Sequence, residues 1–492
     1  MYTEQTWIYK RAALSPKKIA LIDSNSGEKW SYQTLTNHIS KWIHYFNLQQ
    51  YQKGDRVAIL SQNRIELFAI LFACGLKGIL YVPLNFRLSE LELLYILEDC
   101  QPVLIIHDEE HQIISSKFTN INRLLISDIK DNNSELSSSY SICTPTDPWL
   151  IIYTGGTTGK PKGVVLSFDA VNWNAINTII SWGLNKTDCT LNYMPMFHTG
   201  GLNALCIPVL MVGGTVVTGS RFHAEEALKA LNTYKTTISL FVPTMYQSML
   251  QTDYMKTATF PTVKVFLSGG APCPKTIYKE FEKKGALFKE GYGLTEAGPN
   301  NFYIQPEVAR KKIGSVGKCM QFNDVKIINE SGETCKTNEI GELYISGKHV
   351  FTEYWNNELE TSQSLVNGWL KTGDLAKKDA DGDYFIVGRK KELIISGGEN
   401  VYPQEVEQCL ILHPNIREVA VIGVKDDNWG ECVTAFITCK EPNEFDESEI
   451  ITHCRKSLGG FKVPKKVIKV EELPRTDIGK IDKKRLLQLA VE

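Results

Sequence analysis

The chain carries no surplus of charge: 54 basic and 56 acidic side chains leave a formal net charge of −2 over 492 residues. That balance gives no electrostatic footing on nucleic acid or on an anionic membrane surface. Long hydrophobic runs are missing as well. The most apolar stretch, residues 67–82, is broken by Gly75, Lys77 and Gly78, so it is expected to be a core helix running into a strand rather than a membrane-inserted segment. Twelve cysteines are present, yet no two stand as a C-x-x-C pair. Their scatter argues against a zinc site and for reduced thiols. Residues 1–18 are polar and charged and do not read as a secretory segment, so the expected compartment is the cytoplasm.

What is present is an ordinary globular balance, 43% hydrophobic and 22% charged residues. The length exceeds what one core fills, and at least two domains are expected. From residue 30 to 108 the periodicity alternates: residues 32–46 helical, 56–60 strand, 65–76 helical, 103–107 strand. Such alternation predicts a parallel sheet flanked by helices. Residues 130–145 read as an exposed connector, 164–183 as a helix, and 238–242 and 263–267 as strands. Two short strands, 418–424 and 433–439, followed by a helix over 448–458, predict a small α+β domain near the C-terminus.

Between these elements stands Tyr153-Thr-Gly-Gly-Thr-Thr-Gly-Lys-Pro-Lys-Gly163, placed after an apolar strand over residues 149–152. Gly155, Gly156 and Gly159 free the backbone to converge N–H groups on an anion. Thr154, Thr157 and Thr158 add hydroxyl donors, and Lys160 and Lys162 add positive charge. The combination predicts a polyphosphate ligand. It is not the common P-loop, because Thr154 stands where that pattern needs its first glycine and Pro161 follows Lys160. A surface turn is the usual fate of Gly/Thr-rich composition, but a turn needs fewer hydroxyls and no lysines.

This stretch closely resembles the signature loop of the adenylate-forming superfamily, which includes acyl-CoA synthetases, aryl-CoA ligases, adenylation domains and luciferase. The superfamily's commonest form has Ser at the position of Gly155. Further motifs follow in the family's order, and the resemblance spans residues 7–487. It implies an α/β fold with a large N-terminal domain of parallel sheets flanked by helices, plus a small β-barrel-like part. A small, mobile α+β C-terminal domain would follow, joined by a hinge. The expected domains are 1–388, holding ATP and the acyl pocket, and 389–492.

The remaining site residues are expected on the same ground. Ser268-Gly269-Gly270-Ala271-Pro272 follows a strand, and glycines at a strand's carboxyl end suit a nucleotide ring. Gly291-Tyr292-Gly293-Leu294-Thr295-Glu296 matches the family's G-Y-G-x-T-E: Tyr292 faces adenine, Thr295 the α-phosphate, and Glu296 ligates magnesium. Asp374, in Thr372-Gly373-Asp374, would accept the ribose hydroxyls, although a bare Asp there is more often a turn-former. By resemblance Arg389 reaches the ribose or phosphate, Lys391 is the hinge, and Gly397 and Gly398 line a pantetheine tunnel. Lys480, in Pro-Arg-Thr-Asp-Ile-Gly-Lys, is the catalytic lysine. His198, in Pro-Met-Phe-His, borders the acid pocket, though a lone histidine is commonly a satisfied core residue.

The expected reaction is therefore ATP-dependent ligation of a carboxylic acid to coenzyme A through an acyl adenylate, with ATP, Mg2+ and CoA bound. No carrier-protein segment is read after Lys480, which favours CoA as acceptor over a separate carrier protein. Met196, Phe197, Phe241 and Met245 are apolar and suggest a medium- or long-chain fatty acid. An aryl acid such as o-succinylbenzoate is the alternative. A homodimer is left open by the composition.

Overall fold

The computed structural model describes residues 3–129, 141–155, 161–426, 428–441, 445–476 and 481–491. The chain forms two compact units, Met1–Val325 with Ile345–Leu370, and Lys326–Tyr344 with Lys371–Glu492. Among the described residues no helix is long and apolar enough to cross a membrane.

The first unit holds two seven-stranded sheets with helices between their strands. In one the order is Glu353–Tyr354, Lys162–Ser167, Pro148–Thr154, Leu80–Pro83, Arg56–Leu60, Leu104–His107, Asn122–Leu125. Its strands from Pro148–Thr154 onward pair in parallel. The helices Tyr32–Leu48 and Glu66–Lys77 fall where the periodicity predicts them. The second is apolar on nearly every face and buried along its length, which is why its sequence looks membrane-like. Gly78, at φ +68°, ends it in a left-handed cap that a side chain would strain.

Residues 164–183 depart from expectation. Lys162–Ser167 is a strand antiparallel to Pro148–Thr154, and the helix begins only at Phe168. Val164 and Val165 are β-branched and stiff, so they favour the pleated sheet. Ser167 then caps the helix by accepting from the Ala170 amide at 3.1 Å. The strands flanking the polyphosphate motif are thus an antiparallel pair, Thr154 opposite Lys162, where a strand followed by a helix was expected.

The other sheet of this unit runs Phe288–Glu290, Val265–Ser268, Ile238–Phe241, Cys189–Asn192, Thr215–Thr218, Ile19–Asp23, Lys29–Ser31. All its pairs are parallel except the last. Parallel neighbours point their carboxyl ends the same way, so the turns after Ser268 and after Glu290 leave side by side.

The second unit includes the antiparallel pairing of residues 374–378 with strand Tyr384–Arg389, joined through the Asp381-Gly382-Asp383 turn with Gly382 at φ +84°. It also includes a five-stranded sheet. Ile416–Asp426 and Gly430–Cys439 form a long hairpin in which Gly430–Cys439 is the central strand and Ile416–Asp426 an edge, eleven and ten residues where two short strands were expected. Lys466–Lys469 adds in parallel, and helices Pro403–Leu410 and Glu447–Arg455 cover an aliphatic core.

Candidate active site

Of the polyphosphate motif the structure describes Thr154 and Gly155; Gly156, Thr157, Thr158, Gly159 and Lys160 lie outside the described residues. Thr154 pairs across the hairpin with Lys162. A side chain at Gly155 would meet nothing within 4 Å, and its φ lies outside the left-handed region. Glycine is therefore not required there, and the superfamily's serine would fit. Lys162 is not a free cation: its amine pairs with Glu360 and lies 5.5 Å from the Tyr354 ring.

The nucleotide turns come together as their strand order dictates. The Gly291 amide donates to Ser268 O at 2.9 Å. Gly270 has φ +80°, and added carbons at Gly269, Gly270 or Gly291 would find no neighbour closer than 3.6 Å. This open backbone surface, with half-exposed Tyr292 beside it, suits a planar ring. Gly293 is glycine for another reason, since a side chain would strike the Pro299 carbonyl at 2.2 Å. Thr295 is buried in a short 3-10 turn, Thr295–Ala297.

Glu296 is held by a distant segment. The Tyr354 hydroxyl donates to its Oε1 at 2.9 Å, and the Phe351 amide donates to its carbonyl at 2.7 Å. Strand Glu353–Tyr354 pairs with Lys162–Ser167, so Glu296 and the strand leaving the polyphosphate motif share one scaffold. The carboxylate of Glu296 and the hydroxyl of Thr295 are hard oxygen donors of the kind Mg2+ takes. Burial and the neighbouring Glu296 charge keep Tyr354 protonated by pushing its pKa far up.

Two further residues brace this loop. The Asn301 amide donates to Tyr292 O at 3.0 Å, and its side chain donates to Gly298 O at 3.0 Å. His349 Nε2 lies 2.8 Å from Asn301 Oδ1. Tyr354, Asn301 and His349 were not singled out from sequence. Each acts through a partner distant along the chain or through backbone, and no local motif signals that.

At the acid-pocket segment, His198 precedes the short helix Thr199–Leu202 and its ring lies 4.7 Å from Phe197. Phe86 meets Phe197 edge-on at 5.3 Å. Asn63 clamps the segment, donating to Met194 O at 2.9 Å and accepting from the Met196 amide at 2.8 Å. Gly201 passes so close to Pro195 O, 2.1 Å from an added carbon, that no side chain fits. Phe241 corrects an expectation: its ring is wholly buried in a core cluster with Tyr246 and Phe222, so it does not line an open pocket. The reason is position, for it ends a central strand and faces the helices covering the sheet. Met245 packs against the same cluster.

In the second unit Asp374 is not a turn-former. It sits within Trp369–Lys378 opposite Arg389, is 4% exposed, and its Oδ1 accepts from Arg389 Nε at 2.7 Å. Its amide donates to Thr372 Oγ1, which in turn donates to Leu343 O. A buried, oriented carboxylate beside a guanidinium is suited to accept two vicinal hydroxyls. Lys391 lies in the 3-10 turn Lys390–Glu392. Gly397 and Gly398, at φ +61° and +82°, make the tight turn between Ile394–Ser396 and Glu399–Val401. Lys480 lies outside the described residues.

The AMP-binding enzyme family matches residues 8–355, and the AMP-binding enzyme C-terminal domain matches residues 405–480. A feruloyl-CoA synthase from an Amycolatopsis species is 34% identical over 481 residues, 97% of this chain and 96% of that one. An indoleacetate–CoA ligase from Aromatoleum aromaticum is 33% identical over 501 residues, 98% and 97% of the two chains. The solved o-succinylbenzoate CoA synthetase of Bacillus subtilis, in complex with its acyl-adenylate intermediate, superposes with a TM-score of 0.90 at 32% identity, covering 98% of this chain and 97% of that one. The same enzyme in complex with ATP and magnesium ion gives 0.89 at 31% identity, covering 97% and 98%. With matches that run over nearly the whole length of both partners, the chain belongs to the AMP-binding enzyme family and is an acid–thiol ligase.

Proposed function

We propose that this ligase activates an aryl carboxylic acid with ATP and transfers it to coenzyme A, releasing pyrophosphate and then AMP. The observation carrying the choice of acid is that the three similar proteins named above are named for feruloyl, indoleacetate and o-succinylbenzoate, each containing an aromatic ring. The aromatic pair Phe86 and Phe197 beside His198 supports it, since rings recognise rings edge-on. A fatty acid is the weaker reading, because it drew on Phe241 as a pocket wall and that ring belongs to the core.

In the first half-reaction a carboxylate oxygen attacks the α-phosphorus of ATP and the bond to pyrophosphate breaks. Both reactants are anions, so the protein's task is to position them and offset charge. Thr154 to Lys160 would cradle the phosphates, Gly269 to Ala271 and Tyr292 the adenine, and Asp374 with Arg389 the ribose. Thr295 would donate to the α-phosphate, and Lys480 would stabilise charge developing there. Mg2+, held through Glu296, would supply further neutralisation of the phosphates. In the second half-reaction the CoA sulfur, its proton lost to solvent, attacks the acyl carbonyl; a C–S bond forms, the C–O bond to the phosphate breaks, and AMP leaves with that bonding pair. No side-chain nucleophile is needed. We assign residues 1–388 and 389–492 as the two moving bodies, with Lys391 as their hinge.

The test is pyrophosphate release with and without CoA over a panel of cinnamate, indoleacetate, benzoate and straight-chain acids. The highest kcat/KM should fall on a ring-bearing acid. A rise of about 0.8 kcal/mol in transition-state binding per added methylene along the straight-chain series, with weak turnover of aryl acids, would restore the fatty acid reading.

A further inference from the structure

The two turns assigned to the nucleotide are fastened by a buried carboxyl group that neither motif contains. Glu290 ends strand Phe288–Glu290 and is the residue immediately before Gly291. Its side chain turns back across the neighbouring strand's turn. Glu290 Oε2 accepts from the Cys273 amide at 3.1 Å, two residues past Ala271, and Oε1 accepts from the Tyr278 hydroxyl at 2.8 Å. Tyr278 lies on helix Lys275–Lys283, which that same turn leads into. One carboxyl group therefore ties the Gly269–Ala271 turn, its following helix and the Gly291–Tyr292 loop into one body.

We propose that Glu290 is a positioning residue of the nucleotide site, fixing the spacing of these two turns, and that its protonation is coupled to nucleotide binding. This rests on the reading that Gly269 to Ala271 and Tyr292 hold adenine. The geometry has a chemical consequence. The titratable groups facing Glu290 are the Tyr278 hydroxyl, the Cys273 thiol and, behind them, the Tyr246 hydroxyl on helix Pro243–Leu250. Burial holds all three in their neutral forms. Lys289 points to the opposite face, as alternation requires, with its amine 4.3 Å from the Trp182 and Tyr303 ring centres. Among the described residues that face it, no cation thus offsets an ionised Glu290. Burial pushes the carboxyl up to about 7, against the two hydrogen bonds that favour its charged form. A nucleotide whose adenine occupies these turns brings its negative phosphates to the same site, by Thr295 five residues on, and that charge disfavours an ionised Glu290, so binding takes up a proton there as pH crosses neutrality.

Glu290→Gln keeps the size and one acceptor oxygen for the Cys273 amide, its NH2 donating to the Tyr278 hydroxyl instead, but cannot ionise, whereas Glu290→Leu removes the tie. AMP binding by calorimetry, in buffers of different ionisation enthalpy, and KM for ATP in pyrophosphate exchange are measured from pH 6 to 9 on the full chain. The wild type should lose AMP affinity several-fold above pH 7 and show proton uptake. The Gln variant should keep its pH 6 affinity throughout and show none. The Leu variant should raise KM for ATP at every pH with a smaller change in kcat. Superimposable pH profiles for wild type and Gln, or a Leu variant that binds AMP like wild type, would overturn the proposal. Tyr292→Ala, run alongside, separates the layers. If it leaves AMP binding unchanged, the adenine reading of these turns fails; if it weakens binding while the Glu290 variants match wild type, only the inference about Glu290 fails.

Discussion

The carboxylate of Asp374 has an observed partner and a proposed ligand. Its Oδ1 anchors Arg389, and the ribose would add two further donors. Each hydrogen bond to a charged acceptor contributes roughly 1.5 to 3 kcal/mol. Two such bonds amount to about 3 to 6 kcal/mol, so Asp374→Ala should raise KM for ATP by about a hundredfold or more, while KM for the acid moves little. Equal KM for ATP in variant and wild type would reduce Asp374 to a partner of Arg389. His349 gives a pH-dependent prediction. It is 1% exposed, and burial pushes its pKa down to about 4 from the usual 6.5. Between those values the unfolded chain binds the proton and the folded chain does not, so this residue's stability is full above pH 6.5 and is lost as pH falls toward 4. The loss amounts to about 3 kcal/mol at low pH. Thermal unfolding of His349→Asn should show a shallower decline over that window than wild type, and parallel curves would refute the assignment. At this scale Thr295, Glu296 and Asp374 could be nominated from sequence because they lie in short local patterns. Tyr354 stands 58 residues from Glu296, and its hydroxyl could not be assigned without the sheet that brings it there.

The Gly397–Gly398 turn shows what an element can demand of its residues. Both glycines have positive φ, and a carbon added at Gly397 would press on the Trp429 ring at 3.1 Å. A branched side chain in left-handed backbone costs about 1 to 2 kcal/mol, so the turn would open or shift rather than hold. If this turn lines the thiol's path, Gly397→Val should slow thioester formation from supplied acyl adenylate at least tenfold and leave pyrophosphate exchange near wild type. Loss of both activities together, with a lowered melting temperature, would mark the turn as structural only. Elements with strong periodicity, such as Tyr32–Leu48 and Arg56–Leu60, were legible to within a residue or two. Lys162–Ser167 was not, because six residues are too few to separate a buried strand from the first turns of the helix they precede. Only the cap at Ser167 and the two valines mark the boundary. The same ambiguity let Phe241 pass for a pocket wall, since an aromatic ending a strand can face either a cavity or the covering helices.

At the scale of the whole molecule, the order of motifs was legible, and with it the presence of more than one compact body. Contacts draw Lys326–Tyr344 and Lys371–Glu492 into the second unit, which sequence reasoning did not foresee, because antiparallel pairing such as Trp369–Lys378 with Tyr384–Arg389 joins segments irrespective of motif boundaries. The functional division we propose is at Lys391. In the proposed reading adenylation has Lys480 against the phosphates and thioester formation has the Gly397–Gly398 turn beside the thiol, and both belong to residues 389–492. One arrangement is poorly suited to present both, so that body should swing between half-reactions. Lys480→Ala should abolish pyrophosphate exchange by a factor of about a hundred or more while still converting supplied acyl adenylate to thioester. Lys391→Pro fixes φ at the hinge and disfavours the helical conformation of Lys390, which now lies in the 3-10 turn. It should leave adenylation near wild type and slow thioester formation far more. Measured together on both variants, pyrophosphate exchange and CoA consumption from supplied acyl adenylate should change by unequal factors in opposite senses. If each substitution slows both half-reactions by the same factor, a single fixed arrangement serves both steps and Lys391 is not a hinge.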